Sequence, residues 1–361
     1  MLESIWDYAN EKLIAATEAE IFRIRHLDYF LRFAEETAPK IRGPEQREWL
    51  ERVEQDEFNL RYALDAAAEL PGQVSKGLRL LDAEQRFVEV RGLFKKAREV
   101  FDRLLALPDA APRDLIRARA LAASGRLAWV ADDVPAAAAQ HGEALAIFRE
   151  LNDPRGTGTA LGDLGFIAID AGDLLYARAL LDEAATLAAP LAESRLTAHV
   201  QHIRGVLAAA EGDFAQAFAL DEESHALYRR MGDTWMTIIV AWAVGVNATV
   251  LGRFDTARVH LAECLQVGLD LGNRWGASYP LEAIAVLAVA ERNYDRAARL
   301  FGAAEAQRIR SGLVPQAAEH PALRAVLDAA PDFTGPAVEA ARREGRSLTL
   351  DDATALALGE P

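Results

Sequence analysis

A fixed step of 40 residues runs through the middle of the chain without a gap, and no other feature limits its fold so tightly. Gly125, Gly165, Gly205 and Gly245 share one column, which Ala285 continues, and three residues on stand Ala128, Ala168, Ala208, Ala248 and Ala288. Next come the pairs Asp132-Asp133, Gly172-Asp173, Gly212-Asp213, Gly252-Arg253 and Arg292-Asn293, each before an apolar residue. Ala137, Ala177, Ala217, Ala257 and Ala297 form another column, followed by Glu143, Glu183, Glu223 and Glu263, then Leu151, Leu191, Met231 and Leu271.

These columns define the unit physically. Apolar residues between the Gly-Asp pairs recur at helical spacing, and no run alternates as a strand would. Gly suits the left-handed cap that ends a helix, and Asp caps the start of the next. A second break falls at 151–154, 231–233 and 271–273, so each unit is expected to be a helical hairpin. The Gly and Ala columns then mark where two helices cross too closely for a larger side chain.

The period replaces two or three separate globular cores, which the length alone would suggest, with one array stabilised between neighbours. The expected fold is all-α: a right-handed α-solenoid of helical hairpins with a 40-residue period and helical caps at both ends. The regular units are expected near 112–151, 152–191, 192–231, 232–271 and 272–311, with a degenerate unit at 72–111 carrying Gly92, Phe94 and Ala97 in register. Residues 1–70 form an N-terminal cap or linker, read as helices Glu3–Ala16, Glu20–Glu36 and Pro44–Glu69. Residues 312–361 form a C-terminal cap: a loop from Gly312 to Pro321, then helices near 321–329, 334–345 and 350–358, with Thr349 and Asp352 capping the last.

Charge and composition then exclude partners. A formal net charge of −15 opposes direct binding to DNA or to anionic lipid. The single cysteine, Cys264, rules out a disulfide framework and suits a reducing cytoplasm. Its column reads Ala144, Ala184, Ser224, Cys264, Ala304, which predicts a buried thiol in a small-residue slot. Ile238 to Val246 and the other apolar runs fall short of the roughly 20 residues of a membrane span. The acidic N-terminus carries no targeting pattern.

Two resemblances follow from particular residues. Gly125, Ala137 and Ala144, like Gly205, Ala217 and Ser224, keep the small-residue intervals of the tetratricopeptide repeat, so the units resemble that family with helices longer than its unit of about 34 residues. The family's helix A tryptophan keeps no regular column. The end segments are similar to those of the C-terminal region of bacterial STAND-type ATPase transcriptional regulators of LuxR and SARP type. They are Met1 to Leu13, Arg42 to Gln46, Trp49-Leu50 with Asp56 to Leu60, Ala298 to Ala306 and Glu344 to Leu358. That resemblance implies a sensor region. The chain has no G-x-x-x-x-G-K-[ST] phosphate loop and no helix-turn-helix after Ala357, so the expected reading is a sensor part cut out, truncated or encoded alone, without ATPase or DNA-binding modules. A free-standing adaptor that joins two proteins is the alternative.

The resemblance to tetratricopeptide arrays implies a concave groove lined by helix A. The columns one and four after the small position read Arg126, Phe166, Val206, Val246, Val286 and Trp129, Ile169, Ala209, Thr249, Val289. Those three and six before it read Ala122, Gly162, His202, Trp242, Glu282 and Arg119, Thr159, His199, Ile239, Tyr279. The candidate site is therefore Arg119, Arg126, Trp129, Phe166, His199, His202, Trp242, Tyr279 and Glu282, a surface for a protein, a peptide or a small-molecule effector. The competing reading is that lengthened helices shift the register and bury these side chains between neighbouring A helices. His199 and His202 lack a third ligand at helical spacing, and His26, His141, His225, His260 and His320 are scattered over several units, so no metal site is expected. The glutamate column is read as helix-surface charge, and no nucleophile, catalytic pair or cofactor motif is present, so no enzyme activity is expected.

Overall fold

The computed structural model describes Lys12, Ala15 and residues 18–191, 195–312 and 320–359. The expected helix Glu3–Ala16 and most of the loop after Gly312 lie outside those residues. The described residues contain eighteen α-helices and no strand. They fall into two compact units, one built from residues 1–41, 45–89 and 93–152, the other from 153–361 with the short segments Arg42–Pro44 and Val90–Gly92.

The first unit holds α1 (Ala19–Ile41), α2 (Gln46–Gln55), α3 (Glu57–Glu69), α4 (Val74–Arg91), α5 (Phe94–Leu105), α6 (Leu115–Val130) and α7 (Val134–Glu150). Helix α1 lies on α2 and α3, and α5, α6 and α7 pack in succession. Two expected boundaries shift here. Helix α1 continues through Pro39 to the buried Ile41, because a proline in the last turn removes few hydrogen bonds and Ile41 gains burial. The single helix expected over Pro44–Glu69 is interrupted at Asp56, whose N–H bonds back to the Val53 carbonyl at 3.0 Å while Asn59 Nδ2 donates to its carboxylate at 2.8 Å. Such local bonding competes with continuation of a helix.

The second unit stacks four hairpins, α8/α9 (Pro154–Asp170, Leu174–Ala188), α10/α11 (Arg195–Ala210, Phe214–Arg230), α12/α13 (Thr234–Val250, Phe254–Asp270) and α14/α15 (Ser278–Ala290, Tyr294–Ser311). Three shorter helices follow: α16 (Pro321–Asp328), α17 (Pro336–Arg346) and α18 (Leu350–Leu358). Helix α17 packs on α15, and α18 on α13, α14 and α15. Thr349 and Asp352 form the expected capping box of α18. The main core joins Phe218, Leu227, Val240, Val244, Leu261, Leu281, Ile284 and Leu300 to Ala322, Leu323 and Leu350 from the C-terminal helices. No helix among the described residues is long and apolar enough to cross a membrane.

The repeat columns have the expected roles. Asp132, Gly172, Gly212, Gly252 and Arg292 all take left-handed backbone with φ between 61° and 84°. The next residue caps the following helix through its side chain at Asp133, Asp173, Asp213 and Asn293, but not at Arg253. The small column faces one partner position sixteen residues on. A Cβ on Gly125, Gly165, Gly205 or Gly245 would meet His141, Leu181, Asp221 or Leu261 at 2.5–3.0 Å. The alanines at 137, 177, 217, 257 and 297 are completely buried.

Candidate functional site

Helices α10, α12 and α14 are the A helices of the last three hairpins, and they position five of the candidate residues, His199, His202, Trp242, Tyr279 and Glu282. The face they form is covered by the chain's own helix α16, which packs on all three. His320 caps α16 through Nδ1, which accepts from the Ala322 N–H at 3.3 Å, and its ring meets Trp242 edge-on with centroids 5.1 Å apart. Ala322 and Leu323 are buried in the main core, while Val326 and Leu327 pack against Val289 and Ala288. Trp242 is held by donation from Nε1 to the Tyr279 carbonyl at 3.3 Å.

A polar set lies on the same helices. Asp221, 1% exposed, accepts from His202 Nδ1 at 2.8 Å and from Asn247 Nδ2 at 3.0 Å. Burial pushes its carboxyl above the usual range, while the bond to His202 opposes that. Gly205 makes room for this carboxylate, since a Cβ there would lie 2.9 Å from it. Glu282 is buried and paired with Arg308; burial raises its carboxyl and Arg308 works against the rise. Burial also raises the Tyr279 phenol. His320 is pushed down to about 4, first by burial and then by the neighbouring His202.

The remaining candidates separate. His199 approaches Asp163 at 3.1 Å, in a space left by Gly162, and so does not share a ligand with His202. Phe166 packs half-buried beside Leu181, Ile203 and Leu207. Arg119, Arg126 and Trp129 belong to the first unit, where Arg119 is exposed near Asp82 at 3.9 Å and Arg126 bonds Gln85. Val246, Thr249, Val286 and Val289 are buried, so in the last two hairpins these columns pack between helices and do not line an open channel.

Two expectations about histidines change. His225 and His260 are not scattered: they lie on the adjacent B helices α11 and α13 with ring centroids 4.9 Å apart, and both face Glu263. Glu263 is accordingly half-buried between imidazoles and is not plain surface charge. The signal was a spacing of 35, five short of the period, which places His260 more than one turn earlier on its B helix than His225 is on its own. Cys264 behaves as its column predicts: it is buried, with its thiol pushed up to about 12 by burial. The docking of α16 was not foreseen, although Ala322 and Leu323 stand 40 residues after Glu282 and Ala283.

No protein-family model matches the chain, and no curated protein matches it. Among solved structures, a Rap protein complexed with the competence and sporulation factor aligns with a TM-score of 0.60 at 12% identity, covering 91% of this chain and 97% of that one. A tetratricopeptide repeat protein from Parabacteroides merdae aligns at 0.48, with 12% identity over 84% of this chain and 99% of that one. BtubC from P. vanneervenii aligns at 0.44, with 18% identity over 62% and 92%. The fold is thus an all-α array of helical hairpins. More particularly, it shares the architecture of the Rap protein over nearly the length of both chains, at an identity that speaks for fold alone.

Proposed function

We propose that this chain is a non-enzymatic scaffold that binds an amphipathic peptide or protein helix on the A-helix face of α10, α12 and α14. The observation that carries the reading is α16: an eight-residue helix already seated there, with His320 against Trp242 and Leu323 buried. A face that accepts a short helix in cis has the shape and chemistry to accept one in trans. The polar set beneath it argues against a merely structural cap, because buried charges such as Asp221 and Glu282 cost stability that an apolar cap would not. That the Rap protein was solved with a bound factor is consistent with ligand recognition by this architecture.

The finer reading is the sensor region of a STAND-type transcriptional regulator, in which exchange of α16 for an effector peptide changes contacts to the ATPase module. The similarity of the end segments favours it over a free-standing adaptor, which the fold fits equally well. An in-frame phosphate-loop module encoded before Met1 supports the sensor; an independent promoter and ribosome-binding site there supports the adaptor.

The binding claim is tested with a labelled synthetic peptide of residues 320–330 and the full-length chain. Leu323→Glu should loosen α16, shift Trp242 emission to longer wavelength and admit the peptide in trans, while Leu323→Glu combined with Trp242→Ala should lose most of that binding. If the peptide binds neither form, or binds equally with and without Trp242, the A-helix face is not the binding site.

A further inference from the structure

Outside the A-helix face, one cluster brings two imidazoles, in edge-on contact, and a carboxylate together at more than ordinary hydrogen-bond length. His225 on α11 and His260 and Glu263 on α13 each turn one ligand atom toward a common point, with all these atoms within 4.8 Å of one another. His225 Nε2 lies 3.6 Å from Glu263 Oε2, and His260 Nδ1 lies 3.8 Å from the same oxygen. Both distances exceed hydrogen-bond length, and neither nitrogen has a hydrogen-bond partner although both are buried. The His225 side chain is 8% exposed, so water does not readily satisfy it.

Such a set is poorly explained as structure alone. Two imidazole nitrogens and one carboxylate oxygen converge on a space that no hydrogen bond of ordinary length closes. A tetrahedral metal ion with bonds of about 2.1 Å holds its ligand atoms about 3.4 Å apart, close to the 3.6 and 3.8 Å that separate the two nitrogens from Glu263 Oε2. The remaining distance is left to side-chain rotation, since the two helices are themselves held in the hairpin stack. His260 and Glu263 are three residues apart on one helix, which places them on the same face. His225 comes from the neighbouring hairpin.

We propose that His225, His260 and Glu263 form a binding site for a divalent transition-metal ion of the zinc class, joining the B helices of two successive hairpins. The donor set selects the class: two imidazoles disfavour magnesium and calcium, and one carboxylate with two histidines suits zinc, cobalt or nickel. The ion fills three positions with protein atoms and keeps a fourth for water, which the half-exposed side of Glu263 can admit. Arg229, the positive charge acting on His260 and Glu263, is exposed and can turn away into solvent as the ion enters. Cys264 is adjacent in sequence, but it occupies the buried small-residue column and is not a ligand.

The test uses the full chain stripped with a chelator and titrated with zinc chloride by calorimetry, then with cobalt chloride while visible absorption is recorded. One zinc per chain, a cobalt spectrum of low-coordinate type and a higher melting temperature with metal are expected. His260→Ala and Glu263→Gln, at partly exposed positions that keep the fold, should each weaken zinc at least about 100-fold, since even outer-sphere partners are worth 10–100-fold. Cys264→Ala should bind as the native chain does. Equal binding by the native chain and His260→Ala, no stoichiometric zinc at all, or loss of binding in Cys264→Ala would each overturn the assignment.

Discussion

At the scale of the residue, the repeat columns show which positions are set by the backbone and which by packing. Gly212 has left-handed backbone, and a Cβ added there would find nothing within 4 Å, so Gly212→Ala tests backbone strain alone and should cost about 1 kcal/mol. Arg292 carries the same conformation without glycine's freedom, and Arg292→Gly should leave stability unchanged or raise it by about 0.5 kcal/mol, the relief of strain being partly offset by a more flexible unfolded chain. Denaturant midpoints of the two variants against the native chain decide both. The sequence period found these turns because every unit repeats the same φ requirement. It could not find Glu84, which belongs to no column. That carboxyl is buried, with burial and the charge of Glu57 pushing it up to about 8. A raised folded-state value means the folded chain holds its proton more tightly than the unfolded chain. Stability is therefore full below about 4.5, falls as pH rises toward 8 and is level beyond it. Glu84→Gln should consequently raise the melting temperature at pH 8 by far more than at pH 4.5; an equal shift at both would show that the carboxyl stays neutral or is solvated.

Helices are the scale at which sequence reading succeeded most, and the reason is that caps and small-residue columns are local signals. The hairpins, their turns and the box at Thr349 needed no long-range information. The crossing of α15 and α17 is different. Gly302 and Gly345 bring the two backbones together so closely that a Cβ on either would collide with the carbonyl of Arg342 or Arg299. Backbone cannot step aside as a side chain can, so Gly302→Ala and Gly345→Ala should each cost about 3 kcal/mol or prevent folding, read by chemical denaturation. Helix α16 was expected from the sequence, yet its seat on α12 and α14 was not, because packing between elements this far apart in the chain leaves no local signal. Its docking should depend on pH through His320, which is held low, to about 4, by burial and by His202. A depressed folded value favours the docked state above the unperturbed range near 6.5 and withdraws that contribution as pH falls toward 4. Protonation also removes the Nδ1 lone pair that caps α16. Trp242 emission should therefore shift to longer wavelength between pH 6.5 and 4, and His320→Gln should flatten that transition; a pH response unchanged in the variant would place the titrating group elsewhere.

For the molecule as a whole, the sequence foretold an array supported from neighbour to neighbour, but not which polar groups the array would bring together. Columns repeat every 40 residues, whereas Asp221 with His202 and Asn247, or His225 with His260, depend on offsets that change between hairpins. Chemistry in such a fold arises where the period is broken, so the candidate sites were the least legible part of the chain. The stabilising contacts are the opposite case, and they give a consequence that a single globular core would not share. In an array, a defect weakens its own hairpin and the interfaces on either side, and the loss decays with distance. Gly245→Leu would drive a side chain into Leu261, whose nearest atom would be 2.6 Å from the new Cβ, in the third of the four stacked hairpins. Hydrogen exchange should then rise across α10 to α15 together, because both flanking hairpins lean on α12 and α13. Gly165→Leu creates a similar collision, with Leu181 at 3.0 Å, in the first hairpin of the stack. It should raise exchange in α8 to α11 and leave α14, α15, α17 and α18 close to native. Uniform loss of protection across all these helices in the Gly165 variant would mean that the second unit unfolds as one cooperative block, and that burial between successive hairpins is not what limits its stability.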